Sequence, residues 1–358
     1  MENIYIVATT LYICMNVVAL AGLVKIAFES STEAYFPAKG HEQKSVSVVV
    51  AARNEAGHLP SLLTALLGQR HTALEIIIVS DRSTDATDSL VSSVHDPRVR
   101  LIRIDQLPEG LAPKKYALGR GIRASQGEII FLTDADCTPP PEWISETLKC
   151  FDEQTGAVIG YSPYRGALQL RREPLLSLFQ RYECLRTAML AAGAAGRGAP
   201  YMATGRNFAY RRSAFEAVQG FDRIKHLASG DDDLLLQQLV KRTKWRVKYF
   251  VASKTFVETD AQPTWTALFN QKSRHTSAAI NYRWPVLLFL FLYHISNFAA
   301  MLLLLPVYPF LSYLLLRHGF QTFHAQEFER KVFYLEPLYT LYAMLVPLLA
   351  LRKFSWKP

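Results

Sequence analysis

Four short apolar runs at nearly even intervals constrain this chain more than any other feature. Val46 to Ala52, Ile76 to Val79, Leu101 to Ile104 and Ile129 to Leu132 are each strand-length, and they stand about 25 residues apart, enough for a helix between parallel strands. The Ile76 to Val79 run is apolar at every position, as a strand buried on both faces should be. The pattern predicts an α/β domain with a mostly parallel central sheet. In such sheets ligands bind just beyond the carboxyl ends of the strands, which directs attention to the residues after each run.

Those residues are chemically loaded. Arg53-Asn54-Glu55 follow the first run, Ser80-Asp81-Arg82-Ser83-Thr84-Asp85 the second and Thr133-Asp134-Ala135-Asp136 the fourth. Any one of these loops is compatible with ordinary helix capping, but three at one sheet edge point to a ligand site. Asp134 and Asp136, spaced by one residue at a strand end, can turn oxygen ligands toward a hard divalent cation, which would neutralise the diphosphate of a nucleotide-activated substrate. Neither G-x-x-x-x-G-K-[ST] nor G-x-G-x-x-G follows the first run. That disfavours a P-loop ATPase and a dinucleotide dehydrogenase.

Both ends of the chain are apolar. Ile4 to Val24 carries no charge and has about the 20 residues that cross a hydrocarbon core as a helix. Ala19-Leu20-Ala21 has the look of a signal-peptide cleavage site, but Glu2 precedes the run while Lys25, Lys39 and Lys44 follow it. We therefore read residues 1–28 as an anchor with the N-terminus outside and the next domain cytoplasmic. Two more apolar blocks, Pro285 to Leu316 and Val332 to Leu351, lie in 276–358. The first is long for one span and short for two, with Pro306 and Pro309 placed for a turn. Counting one crossing there and one for the last block returns Arg352, Lys353 and Lys357 to the cytoplasm, so about two C-terminal spans are expected. Glu336, near the edge of its block, is expected at the membrane interface, the alternative being a functional intramembrane carboxylate. The chain reads as an integral membrane protein of the bacterial inner membrane.

Lys and Arg number 40 against 31 Asp and Glu, a net +9. The basic residues are dispersed, several of them flanking apolar segments, which disfavours nucleic acid as a partner. Four cysteines, Cys14, Cys137, Cys150 and Cys184, form no C-x-x-C pair, so neither a disulfide framework nor a cysteine-bound metal is expected.

Six ordered elements resemble the family 2 glycosyltransferases: Val48 to Glu55 (VVVAARNE), Ile78 to Thr87 (IVSDRSTDAT), Lys114 to Leu118 (KKYAL), Gly127 to Cys137 (GEIIFLTDADC), Gly205 to Arg211 (GRNFAYR) and Gly230 to Asp233 (GDDD). The resemblance covers about Ser45 to His275 and implies a GT-A type catalytic domain over 44–275, flanked by transmembrane helices. It further implies donor contacts from Ala52, Arg53, Glu55, Asp81 and Lys114, with the nucleotide sugar, expected to be UDP-linked, as substrate. The family's usual Asp-Asp after the second strand is Ser80-Asp81 here. Asp136, assisted by Asp134, is implied as the metal aspartate for Mn²⁺ or Mg²⁺. Lys114 and Lys115 are also compatible with a solvated face.

Asp231 matches the family's glutamate and Asp232 its general base, with a shift of one residue to Asp233 left open; the capping alternative is that these acids simply favour the N-terminus of the helix that follows. Clustered carboxylates repel, which raises at least one pKa and makes a base usable near neutrality. Gln271 to His275 resembles the Q-x-x-R-W element of membrane-bound members, with Gln271 and Arg274 as site residues and Arg274 facing the leaving diphosphate; taken alone it is an amphipathic stretch beside the membrane. Its last Trp is His275 here, which disfavours processive polymerisation. Leu175 to Ala192 reads as a helix, by default a packing helix, alternatively an interfacial segment or lid. The implied reaction is hexosyl transfer with inversion to a lipid, lipid-linked or glycan acceptor. A processive polysaccharide synthase and an inactive nucleotide-sugar-binding membrane protein are the competing readings.

Overall fold

The computed structural model describes residues 2–35, 37–166, 173–305 and 307–349; Pro306, Arg352, Lys353 and Lys357 fall outside them. In chain order the elements are α1 (Glu2–Tyr35), β1 (Val46–Ala52), α2 (Leu59–Leu67), β2 (Leu74–Asp81), α3 (Thr87–Ser92), β3 (Val99–Ile104), α4 (Pro113–Ala124), β4 (Ile129–Leu132), β5 (Cys137–Thr138) and α5 (Trp143–Leu148). There follow β6 (Thr155–Gly160), α6 (Leu175–Gly196), β7 (Phe208–Arg211), α7 (Arg212–Ala217), α8 (Asp233–Arg242), β8 (Arg246–Phe250), β9 (Glu258–Thr259), α9 (Trp265–Ala279), α10 (Trp284–Leu303), α11 (Tyr308–Thr322) and α12 (Val332–Leu349). They form two compact units. One comprises the described residues of Glu29–Pro163 and Met202–Asp260, the other those of Met1–Phe28, Tyr164–Tyr201 and Ala261–Lys353.

The first unit is built on a seven-stranded sheet in the order β3-β2-β1-β4-β7-β6-β8. All neighbours are parallel except β7, which runs antiparallel to both β4 and β6. The chain steps outward from β1 to β2 and β3, then crosses back to place β4 on the other side of β1, so the order reverses between β1 and β4. At such a switch point the connections leave in opposite directions and a crevice opens beyond the strand ends. Val48, Val50, Ile76, Ile78, Ile129 and Phe131 form the core of one sheet face, covered by Leu59, Leu62, Leu63 and Leu66 of α2 at helical spacing.

The second unit is helical. Among the described residues two helical segments, Tyr5–Thr32 and Trp284–Leu303, are long and apolar enough to cross a membrane by length and composition. Ile6, Val7 and Phe28 of α1 and Leu288 and Phe291 of α10 are exposed. The apolar block from Pro285 to Leu316 is two helices, α10 of 20 residues and α11 of 15. At 1.5 Å per residue α11 reaches about 22 Å, short of a hydrocarbon core.

Leu175 to Ala192 is helical as expected, and α6 runs on through the small residues to Gly196. The glycines there serve a close helix crossing. A Cβ added at Gly193 would stand 2.5 Å from the Ala19 carbonyl oxygen, and one at Gly196 would stand 2.0 Å from that of Gly22. The backbones of α1 and α6 thus touch with no room for a side chain, the arrangement small residues permit between membrane helices. Gly193→Leu is expected to force the two helices apart and to cost about 3 kcal/mol or more, beyond an ordinary overpacked core. A melting temperature in detergent equal to that of the wild type would refute this contact.

Glu336 corrects a sequence expectation. It is 1% exposed, and its two carboxylate oxygens accept from Arg186 Nε and Nη2 on α6, each at 2.9 Å. A carboxylate drawn into a bidentate pair with a guanidinium has its charge satisfied inside the protein and need not reach for the interface.

Candidate active site

The ends of β1 and β2 are stitched together. Asn54 takes a left-handed backbone, φ +55°, and its Oδ1 accepts from the Thr84 N–H at 2.8 Å. The Glu55 N–H donates to Thr87 Oγ1 at 2.9 Å and the Ala56 N–H to Asp85 Oδ2 at 3.1 Å. The Asn, Ser, Thr and Asp residues of these loops therefore shape the site edge by side-chain to backbone bonds. Ala52 ends β1, fully buried, and Asp81 ends β2.

Lys114 is the centre of the arrangement. It lies in the first turn of α4 after Pro113, a position the helix dipole makes unfavourable for a cation. Carboxylates from two other segments compensate: its Nζ is 2.9 Å from Asp134 Oδ1 and 3.1 Å from Asp231 Oδ2. Burial alone would lower the Lys114 pKa, but Asp134, Asp231 and Asp232 raise it well above the ordinary value, so it stays charged. One ammonium thus joins the loop after β4 to the acidic run before α8.

Lys115, for which the sequence left a solvated face open, is instead 1% exposed. Its Nζ donates to the carbonyls of Leu227 and Ser229, each at 2.6 Å, clamping the segment that delivers Asp231. A second lysine beside Lys114 at a helix N-terminus was the available signal, since two cations there need a reason.

Asp232 caps α8. One carboxylate oxygen accepts from the Asp233 N–H and the other from the Gly205 N–H, both at 2.8 Å. The capping function foreseen for these acids is therefore real. It leaves lone pairs unused, because an ionised carboxylate can accept about four hydrogen bonds. The Gly205 backbone lies against the cluster: a Cβ there would stand in ordinary van der Waals contact, 3.4 Å from Asp231 Oδ2 and 3.5 Å from both Asp232 Oδ2 and Lys114 Nζ. Asp233 is committed elsewhere, with Oδ1 accepting from the Ala203 N–H at 2.8 Å.

The two adjacent acids are driven apart in pKa. Burial would raise Asp231, but Lys114 and Lys115 outweigh it and hold the carboxyl below its ordinary value. Asp232 is raised by burial and by the Asp231 charge, with Lys114 and the two backbone N–H groups opposing. A pair so split gives one permanent anion and one group able to take up a proton.

Asp136 is likewise raised, by burial first and then by Asp134 and Glu55, against Arg206. Two carboxylates of hard oxygen that repel each other fit a divalent cation, which would relieve that repulsion. Among the described residues no three His, Cys, Asp or Glu side chains are grouped to hold a metal, so further ligands would come from substrate and water. The Asp136 loop is fixed by the short antiparallel pairing of β5 with β9.

Gln271 and Arg274 lie on α9 in the helical unit. Gln271 Oε1 accepts from the Tyr164 hydroxyl at 3.1 Å, and Arg274 Nη2 is 3.4 Å from His275 Nε2. Between them Lys272 is paired with Glu183 of α6.

Residues 47–219 match the family model described as glycosyl transferase family 2. The chain carries a family 2 glycosyltransferase domain. The domain has the GT-A fold: the mannosyltransferase PcManGT from Pyrobaculum calidifontis, solved in complex with GDP-Man and Mn²⁺, superposes with a TM-score of 0.55 at 18% identity, over 95% of this chain and 99% of that one. The probable glycosyltransferase YdaM of Bacillus subtilis (strain 168) is 30% identical over 243 residues, 65% of this chain and 54% of its own length. The undecaprenyl-phosphate 4-deoxy-4-formamido-L-arabinose transferase of Yersinia pestis (strain Pestoides F) is 31% identical over 184 residues, 49% of this chain and 51% of its own. The chain thus spans about half the length of these curated relatives.

Proposed function

We propose that this glycosyltransferase is an integral membrane enzyme that moves a hexosyl group, with inversion, from a nucleoside-diphosphate sugar to a lipid or lipid-linked acceptor. The observation that carries the reading is the Lys114 bridge between Asp134 and Asp231, which brings the nucleotide-side loop and the candidate base into one cluster at the sheet's switch point. The apolar helices around residues 5–32 and 284–303 support the membrane placement. The undecaprenyl-phosphate acceptor named for the Yersinia relative supports a lipid-linked acceptor here. A soluble glycan acceptor and a processive synthase are the other members of the same class, and product length separates them.

In this reading Arg53, Glu55 and the loop after β2 hold the nucleoside, and Asp134 and Asp136 would hold Mn²⁺ or Mg²⁺ with the donor diphosphate. When bound, the cation would supply positive charge against the diphosphate. Lys114 orients Asp134 and Asp231. Asp232, ionised and fixed by two backbone N–H groups, accepts the proton of the acceptor hydroxyl as its oxygen attacks the anomeric carbon, while the bond from that carbon to the donor diphosphate breaks and the nucleoside diphosphate leaves. The family resemblance implies for Arg274 a guanidinium fork that would match phosphate oxygens of the leaving group.

The direct test is donor hydrolysis by the detergent-purified protein, read as released nucleoside diphosphate from a panel of nucleotide sugars. Release from one donor is expected with Mn²⁺ or Mg²⁺, and its loss is expected in EDTA and in Asp136→Ala. Release undiminished by both treatments would eliminate the metal-dependent reading. The pH profile follows from Asp232. A base works only when ionised, so rate is present above its pKa and lost as pH falls through it. Because that pKa is raised, the acid limb of kcat is expected above the ordinary carboxylate range, and Asp231→Asn should move it downward.

A further inference from the structure

Asp81 is one of the residues for which the family resemblance implies a nucleotide contact. Its side chain is 0% exposed. Both carboxylate oxygens accept from the next residue, Oδ1 from Arg82 Nε at 2.8 Å and Oδ2 from Arg82 Nη2 at 2.9 Å. Adjacent side chains on an extended strand point to opposite faces. Arg82 reaches back because its backbone enters the left-handed region, φ +53°, while its N–H is held by the Ile104 carbonyl at 2.9 Å. Non-glycine residues seldom adopt that conformation, and where they do, the surroundings impose it, often at a functional site. The Arg82 side chain is itself 29% exposed, so the guanidinium stands between Asp81 and the open edge of the sheet.

This inference rests on the function proposed above. We propose that the Asp81–Arg82 pair makes Arg82 a specificity-determining residue that selects guanine as the donor base. A guanidinium presents two N–H groups from nitrogens on one carbon, a fork that matches a carboxylate. The Watson–Crick edge of guanine presents the same fork, N1–H and N2–H on C2, and so takes the place of Arg82 on both Asp81 oxygens. Uracil offers one N3–H between two carbonyl oxygens, and adenine an amino group beside a ring-nitrogen lone pair. Either would set an acceptor against the second Asp81 oxygen. The resemblance implies uridine; the geometry of this pair points to guanine instead. Arg82, once displaced, turns outward from the side on which it is already exposed.

The test is calorimetric titration of the full chain in detergent with GDP, UDP and ADP in the presence of Mn²⁺. GDP is expected to bind at least about tenfold more tightly than UDP or ADP, since one of two charge-assisted hydrogen bonds is lost with the wrong base. In Arg82→Ala the internal competitor is gone, and GDP is expected to tighten by about tenfold while UDP changes less. Arg82→Gln, which keeps a polar side chain but no fork, serves if the alanine variant does not fold. UDP binding as tightly as GDP in the wild type overturns guanine selection, as does weaker GDP binding in the Arg82 variants. A UDP preference would leave the proposed transferase standing, whereas no binding of any of the three nucleotides would overturn the proposed function and this inference together.

Discussion

Asp232→Asn is expected to lower kcat by about 10²- to 10⁴-fold, the range that a positioned general base contributes, with the melting temperature and nucleotide binding close to wild type. The substitution separates chemistry from structure because asparagine is as good an N-cap as aspartate. Its single amide oxygen keeps one of the two bonds that Asp232 now accepts from the Asp233 and Gly205 N–H groups, and losing the other costs about 1 kcal/mol. Proton acceptance is what disappears. Asp233→Asn is the control, because Asp233 is the alternative base if the count from Gly230 shifts by one residue but its Oδ1 holds the Ala203 N–H; near-normal kcat is expected from it. If Asp233→Asn abolished transfer and Asp232→Asn did not, the base would be Asp233 and the register taken from Gly230 would be off by one.

How much of this was legible beforehand differs between the sheet and the site. β1 and β4 begin and end where their apolar runs do, since a central strand buried on both faces is almost wholly apolar, buried Ser47 of β1 being the exception. β2 is longer than its run, extending to Leu74 and Asp81. Hydropathy misses those ends because pairing sets them: Glu75 lies opposite Ser47 and Asp81 opposite Ile104. β7, the antiparallel strand of the seven-stranded sheet, was readable only as a motif, four residues being too few to show a period.

In the site, each acidic element was visible as a motif because loops at strand ends are local. The tie among them was not. Lys114 meets Asp134 and Asp231 across 20 and 117 positions, and nothing in spacing encodes such a contact. Asp81 shows the same limit in miniature: its position at the strand end was clear, while its pairing with Arg82 depends on one left-handed backbone angle.

Glu336→Gln is expected to be the most damaging single change in the helical unit, costing about 3 to 5 kcal/mol, because it leaves the Arg186 charge buried and unpaired. Arg186 and Glu336 are 150 positions apart. Their pair is extended by the Tyr182 hydroxyl, which donates to Glu336, by Tyr293, whose hydroxyl accepts from Arg186 Nη2 at 2.9 Å, and by the Tyr339 ring, 5.1 Å from the guanidinium. The Tyr293 hydroxyl also donates to Asn16 Oδ1 at 3.3 Å, so α1, α6, α10 and α12 meet at one charged centre. Removing one charge from such a centre costs more than removing both, since replacing a buried pair by apolar side chains of similar size is often neutral. The Arg186→Met, Glu336→Met double variant is therefore expected to melt in detergent well above Glu336→Gln and near the wild type. Were the double variant no more stable than the single one, the damage would come from the lost tyrosine contacts and not from the stranded guanidinium.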